Sequence, residues 1–247
     1  MYCLHAEGDM EEYVRSGIER GLDEIGFLAH AEAGIESARR LWLNDKDLDD
    51  YWEEGQGLRE QYGDRIRVTV GLELGLNPDA LPVMKSIVGR HPWDRIGLSY
   101  HQLPDGAFRL NICSRKSIPR LMEVDPLEMA IRYYTDLRDH IAVIRPEFVC
   151  HLDVVRKLMA DRSGAPEVRG LILEVLDEMR RNNVMLEVNT AGYDTVGAPY
   201  PAPWIIREAV EMGVGLVLSS DSHRPQDVAR RYDDALVYIR RSLNGRA

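Results

Sequence analysis

Short apolar runs recur along the chain, each followed by a longer stretch in which apolar and polar positions alternate at helical spacing. The apolar runs are Glu24–Ala29, Ile66–Val70, Arg95–Ser99, Glu147–Cys150, Val184–Val188 and Val214–Leu218. Runs this continuous and this short, bounded by turns, predict six strands buried on both faces, as in a parallel sheet. Between them the pattern predicts helices over Asp9–Arg20, with Asp9 as N-cap and Gly21 as the stop, then over Leu81–Gly89, Pro126–Ile144 and Pro166–Arg181. Further helices are expected from the Tyr200–Pro203 turn through Met212, and over Pro225–Ser242. Residues 31–63 are charged and read as helical, with Trp42, Tyr51, Trp52 and Leu58 on the buried side. A variable loop containing Pro104 and Gly106 is expected after His101. Alternating strands and helices predict an α/β fold with right-handed crossovers, in which the C-terminal ends of the strands share one face.

That face is where the polar chemistry gathers. Val217–Leu218–Ser219–Ser220–Asp221–Ser222–His223 sets a carboxylate and an imidazole two residues apart beyond the last strand. Alone, such a pair often only caps a following helix. Other predicted strands end alike, in His30, Glu73, His101 and His151, and His5 lies in the opening turn. Five of the seven histidines therefore fall at strand ends or in that turn, while His91 and His140 fall elsewhere. Five imidazoles converging with Glu73 and Asp221 point to metal, because buried imidazoles and carboxylates without partners are costly. Mixed His and carboxylate ligation suits zinc, manganese or iron, and seven candidate ligands suit two to three divalent ions.

Length and composition narrow the picture. A chain of 247 residues is long enough for one domain spanning 1–247. The net charge of −10, with no basic cluster, argues against polymeric nucleic acid as the main partner, although a small phosphorylated substrate needs only one or two arginines. Cys3, Cys113 and Cys150 have no zinc-knuckle or disulfide spacing, which fits a reducing cytoplasm. No apolar run approaches the ~20 residues of a membrane span, and no secretory apolar segment opens the chain. Assembly into a homo-oligomer is left open.

In combination and in order, several motifs resemble the polymerase and histidinol phosphatase (PHP) family, and within it the histidinol-phosphatase branch. They are Cys3–Leu4–His5–Ala6–Glu7–Gly8, Gly26–Phe27–Leu28–Ala29–His30, Gly71–Leu72–Glu73 and Ser99–Tyr100–His101, followed by His151–Leu152–Asp153–Val154–Val155–Arg156–Lys157. The run continues with Leu186–Glu187–Val188–Asn189–Thr190–Ala191–Gly192, Tyr200–Pro201–Ala202–Pro203 and Ser220–Asp221–Ser222–His223. The resemblance implies a distorted (β/α)7 barrel with a trinuclear metal centre. It implies one ion held by His5, His30 and His223, and a second by Glu73, His101 and His151. Glu73 would bridge to a third ion that Asp221 also binds.

The family supplies two further histidines, a His-x-His pair on a first strand, and that pair would lie before Met1. Six predicted strands where the family has seven agree with this. Two expectations compete: a start codon assigned too late, or a short chain that keeps two of four ligands of one ion. The resemblance further implies hydrolysis of a small phosphate monoester, histidinol phosphate in histidine biosynthesis, by a hydroxide bridging two ions. Arg156 would bind the phosphate, with His101 and Asn189 also at the substrate. Asp221 would orient the nucleophile, and Asp153 would protonate the leaving group, cap a helix or orient His151. The bland reading of Arg156 is a helix surface charge. A second Arg is usual after the Asn-Thr-x-Gly turn, and here Tyr193–Asp194 follows, with Arg115, Lys116 or Arg207 as substitutes. Two alternatives follow: a PHP phosphoesterase for another small phosphorylated metabolite or nucleotide, or a truncated, inactive metal-binding relative.

Overall fold

The computed structural model describes residues 5–35, 41–105, 108–114, 117–121, 123–159 and 165–245. Cys3, Leu4, Gly106, Arg115 and Lys116, all considered above, lie outside them. Among the described residues the chain runs α1 (Met10–Glu19), β1 (Glu24–Glu32), α2 (Asp45–Tyr62), β2 (Arg67–Gly75), α3 (Leu81–Val88) and β3 (Arg95–Ser99). The hairpin β4 (Gln102–Asp105) and β5 (Phe108–Asn111) follows, with α4 (Ile118–Leu121) and α5 (Pro126–Ile144) behind it. The second half holds β6 (Phe148–Val149), α6 (Pro166–Arg181), β7 (Met185–Asn189), α7 (Pro203–Glu211), β8 (Leu216–Ser219) and α8 (Tyr232–Leu243).

All six predicted strands form, and they join in one parallel sheet of order β1-β2-β3-β6-β7-β8. The continuous apolar character of β2 is explained by its place: Val68, Val70, Leu72 and Leu74 line one covered face and are each at most 1% exposed, while Thr69 and Glu73 on the opposite face are also buried. Helix α5 covers the sheet with Tyr133, Leu137 and Ile141, and α6 with Ile172, Val175 and Leu176. Asp9 caps α1 as expected, its carboxylate accepting from the Glu12 amide while Glu12 accepts from the Asp9 amide. Gly21 follows that helix in the left-handed region at φ +70°, which a residue with a side chain rarely adopts.

The sheet curls into a half-barrel. Its two end strands, β1 and β8, line a single cleft with Tyr13, Ile25, Phe27, Val217, Ser219 and Tyr232, and no strand among the described residues pairs their outer edges. Parallel register then sets the chemistry: His30 of β1 lies beside Glu73 of β2, and Glu32 beside Gly75.

Three local expectations are corrected. Residues 31–63 do not begin as helix, because β1 runs on through Glu32 and α2 starts only at Asp45, where Asn44 caps it through the Asp47 amide. Gln102–Asp105 and Phe108–Asn111 pair antiparallel as β4 and β5 rather than forming an irregular loop. The final helix starts at Tyr232, preceded by a single turn of 3-10 helix at Pro225–Asp227. Among the described residues no helix is long and apolar enough to cross a membrane.

Candidate metal centre

Parallel strands end on one face, and six of the seven side chains expected to bind metal are drawn into two compact groups there. His5, His30 and His223 form the first, and Glu73, His101 and His151 the second; within each, the candidate ligand atoms lie within 4.8 Å of one another. In the first, His5 Nε2 and His223 Nε2 are 2.7 Å apart. His223 Nδ1 stands 3.0 Å from the Asp221 carbonyl oxygen, so the proton belongs on Nδ1 and the Nε2 lone pair faces the group. In the second, Glu73 Oε1 lies 3.0 Å from His151 Nε2 and 3.1 Å from His101 Nε2, and those two nitrogens are 3.3 Å apart. Glu73 also joins the groups, with Oε2 3.4 Å from His30 Nδ1.

Asp221 belongs to neither group. Its Oδ2 accepts from Asn189 Nδ2 at 3.2 Å, and its own backbone sits at φ +46°. His151 likewise lies in the left-handed region, at φ +26°. Non-glycine residues held there cost on the order of 1–3 kcal/mol and persist where their surroundings fix them. For His151 the fixing group is Glu187, whose carboxylate accepts the His151 amide at 2.6 Å.

The electrostatics fit a cation. Burial raises the Glu73 carboxyl, but the surrounding His30, His101 and His151 outweigh it and hold the group well below its ordinary value. Burial lowers His101 and His151, yet Glu73 reverses both, joined at His101 by the hydrogen bond to Glu32, so His101 stands well above 6.5 and His151 at about 9. Withdrawal from water, reinforced by the rings of His30 and His223, pulls His5 down to about 4. Burial lowers His30 as well, against the attraction of Glu73. Buried carboxylates, Glu73 above all, thus favour protons on two imidazoles where a divalent ion would supply the same positive charge. Imidazole nitrogens and a carboxylate converging at these distances form a donor set suited to zinc and similar ions.

The expected substrate residues are placed less directly. His101 is 6% exposed, and both of its ring nitrogens face protein partners. Asn189 is wholly engaged: Oδ1 accepts from the Ala191 amide at 2.8 Å, and Nδ2 donates to Glu187 and Asp221. It therefore positions Asp221 rather than offering a free amide. Asp153 is 1% exposed and accepts from the Ala202 amide at 2.9 Å. Burial lifts its carboxyl to about 6, against the pull of Arg156. Arg156 is no surface charge: Nε lies 3.2 Å from Asp153 Oδ2, the guanidinium stands 5.7 Å from the Tyr200 ring centre, and Nε and Nη2 are buried without a hydrogen-bond partner. Asp194 is answered by Arg230, whose Nη1 is 2.7 Å from Oδ2. Arg207 lies on α7.

Two residues of the site escaped the sequence reasoning. Glu187 and Asn189 share one face of β7, as residues two apart on a strand must, and that spacing marks Glu187 as an inward carboxylate. Glu32 stands in the same relation to His30 on β1, but ending that strand at His30 hid it.

Comparison with known proteins agrees with this arrangement. Residues 1–191 match the family model described as PHP domain. A protein of Deinococcus radiodurans named "Probable histidinol-phosphatase" is 29% identical over 244 residues, covering 96% of this chain and 89% of its own. A crystal structure from Listeria monocytogenes superposes with a TM-score of 0.84 at 21% identity, over 94% of this chain and 96% of that one. A second, of histidinol phosphate phosphatase from Lactococcus lactis complexed with zinc, L-histidinol and phosphate, gives a TM-score of 0.76 at 20% identity over 98% and 89% of the two chains. At those identities the two structures speak to the fold.

Proposed function

The chain belongs to the PHP domain family, and from that premise we propose that it is a metal-dependent phosphatase of small phosphate monoesters, with histidinol phosphate as its substrate. The observation that carries this reading is the convergence of His5, His30 and His223 on one side of Glu73 and of His101 and His151 on the other, all beyond the ends of parallel strands. The Deinococcus relative's name and the zinc, L-histidinol and phosphate of the Lactococcus complex support the substrate.

His5, His30 and His223 would hold one ion, and Glu73, His101 and His151 another. Bound divalent ions supply Lewis acidity, lowering the pKa of water and drawing charge from the phosphoryl oxygens. The chain's own residues do the rest. Asn189 fixes the Asp221 carboxylate, which orients the attacking water along the line of the scissile bond. Glu187 pins the backbone of His151 and, through Asn189, reaches the same carboxylate. Asp153 holds Arg156 at Nε, leaving Nη2 to donate to a phosphoryl oxygen. In this arrangement Asp153 positions Arg156 and does not itself act on the leaving group.

Arg156→Ala is expected to raise KM for the monoester about tenfold or more, as loss of a hydrogen bond to a charged group does, with bound zinc unchanged. An unaltered KM removes Arg156 from the phosphate site. The substrate itself is tested on purified, zinc-loaded protein. Histidinol phosphate should show the highest kcat/KM of a panel of sugar phosphates, nucleoside monophosphates and phosphorylated amino alcohols, and a better substrate elsewhere in that panel overturns the assignment.

A further inference from the structure

Glu32 is the last residue of β1, two positions beyond His30 and on the same face. Its side chain is 4% exposed, although a carboxylate of this kind is rarely buried without a reason. Oε1 lies 2.8 Å from His101 Nδ1, whereas Oε2 is buried with no hydrogen-bond partner. The fold makes room for this group. Gly75 is its cross-strand neighbour, and a Cβ there would lie 2.0 Å from Glu32 Oε2 and 2.3 Å from Cδ, so any larger residue at 75 would evict the carboxylate.

The two nitrogens of His101 are thereby divided. Nδ1 faces Glu32, and Nε2 faces Glu73 and His151. A neutral imidazole carries one proton and one lone pair, so an acceptor at Nδ1 fixes the proton there and leaves Nε2 as the donor atom. Glu32 could instead join His30 and His101 as a ligand, since the three have atoms within 4.8 Å of one another. That arrangement would have to use His101 Nδ1 and would turn Nε2, which points at Glu73 and His151, away from an ion.

The geometry points to Glu32 as a positioning residue of the metal centre, holding His101 through Nδ1–H so that Nε2 completes the site with Glu73 and His151. This rests on the metal-centre reading above. It assigns to a carboxylate outside the recognised motifs the task of fixing the tautomer and ring orientation of a ligand, and carboxylates that hold a metal-ligating histidine typically change metal affinity by about 10–100-fold.

The test uses the full chain with zinc alone as probe, titrated against a chromophoric chelator. Glu32→Leu fills the same space without an acceptor, and is expected to weaken the ion at the Glu73 group about 10–100-fold. Glu32→Gln keeps a carbonyl oxygen for the same N–H, and should remain within about threefold of the original affinity. A histidine-labelled nitrogen NMR spectrum of the zinc-loaded protein should place the His101 proton on Nδ1 in the original chain and in Glu32→Gln. Rescue by Gln separates positioning from general damage to the fold. Equal losses in Glu32→Leu and Glu32→Gln, or a proton absent from Nδ1, would show a direct ligand and overturn the inference. Unchanged zinc affinity in Glu32→Leu overturns it too. If the original chain itself binds no zinc, the metal-centre reading fails first, and that outcome is distinct from the others.

Discussion

Glu73→Ala should strip the protein of zinc and lower monoester hydrolysis by more than about 100-fold, beyond what the loss of a residue that merely holds a ligand costs. The carboxylate sits between both groups of imidazoles, 3.0 and 3.1 Å from His151 and His101 and 3.4 Å from His30. Alanine would remove the negative charge that balances an ion and leave buried rings facing one another. Glu73→Gln keeps the shape and loses the charge, so it should also fail to hold zinc, which sets it apart from the Gln substitution at Glu32. Elemental analysis of dialysed protein and a phosphate-release assay provide the readout, with circular dichroism to confirm the fold. A full zinc complement and an undiminished rate in Glu73→Ala would exclude Glu73 from the centre.

The second large effect is on stability. An ion that binds only the folded chain adds about 2.7 kcal/mol when free zinc stands at about 100 times its Kd. Two ions would add about 5 kcal/mol, and for a chain of this length that raises Tm by on the order of 10–20 °C. His223→Ala and His101→Ala, one from each group, should each lose about half of that increment. The pH dependence follows from the imidazoles. In the metal-free chain His101 and His151 are raised, so their protonated forms favour folding. That contribution is complete below the unfolded value of 6.5 and is lost as pH climbs through the folded value, about 9 for His151. His5 and His30 are depressed and run the other way, weakening the fold as pH falls below 6.5, toward about 4 for His5. Above 6.5 the metal-free chain should therefore lose stability, while the zinc increment grows because fewer protons must be displaced. Melting curves with and without zinc across that range decide the matter. A Tm indifferent to zinc, or an increment that shrinks as pH rises, contradicts the centre.

Much of this was legible before any coordinates. Strands buried on both faces must be apolar throughout, so all six could be located, and their parallel arrangement followed from the helices between them. Because side chains at their ends share one face, the grouping of His30, Glu73, His101, His151 and His223 followed too. The division of those ligands into two groups came from the family resemblance, and the structure draws together the same sets. Hidden from the sequence were features set by register and reach. Glu32 looked like the start of a charged helix, because it is the pairing of Ala31 and Glu32 with Leu74 and Gly75 that keeps β1 extended beyond His30. Glu73 looked like a strand terminus, although β2 continues to Gly75. From the sequence, Asp153 could protonate the leaving group, cap a helix or orient His151. The 3-10 turn over Val154–Leu158 places its carboxylate instead against Arg156 Nε and the Ala202 amide. Asp194 suggested a missing cation beside the phosphate site, and only the folded chain places Arg230 against it.

The left-handed backbone at His151 and Asp221 has a consequence for anyone seeking a hardier version of this protein. At both positions glycine would relax the main chain, and at both it would delete a side chain the chemistry needs. Selection for thermal tolerance in the absence of metal would favour such relief and drift toward a sturdier, inert molecule. Selection under limiting zinc and a demand for turnover would hold both side chains in place. The two pressures diverge at these residues, so a library randomised at 151 and 221 should split into separate populations under the two regimes.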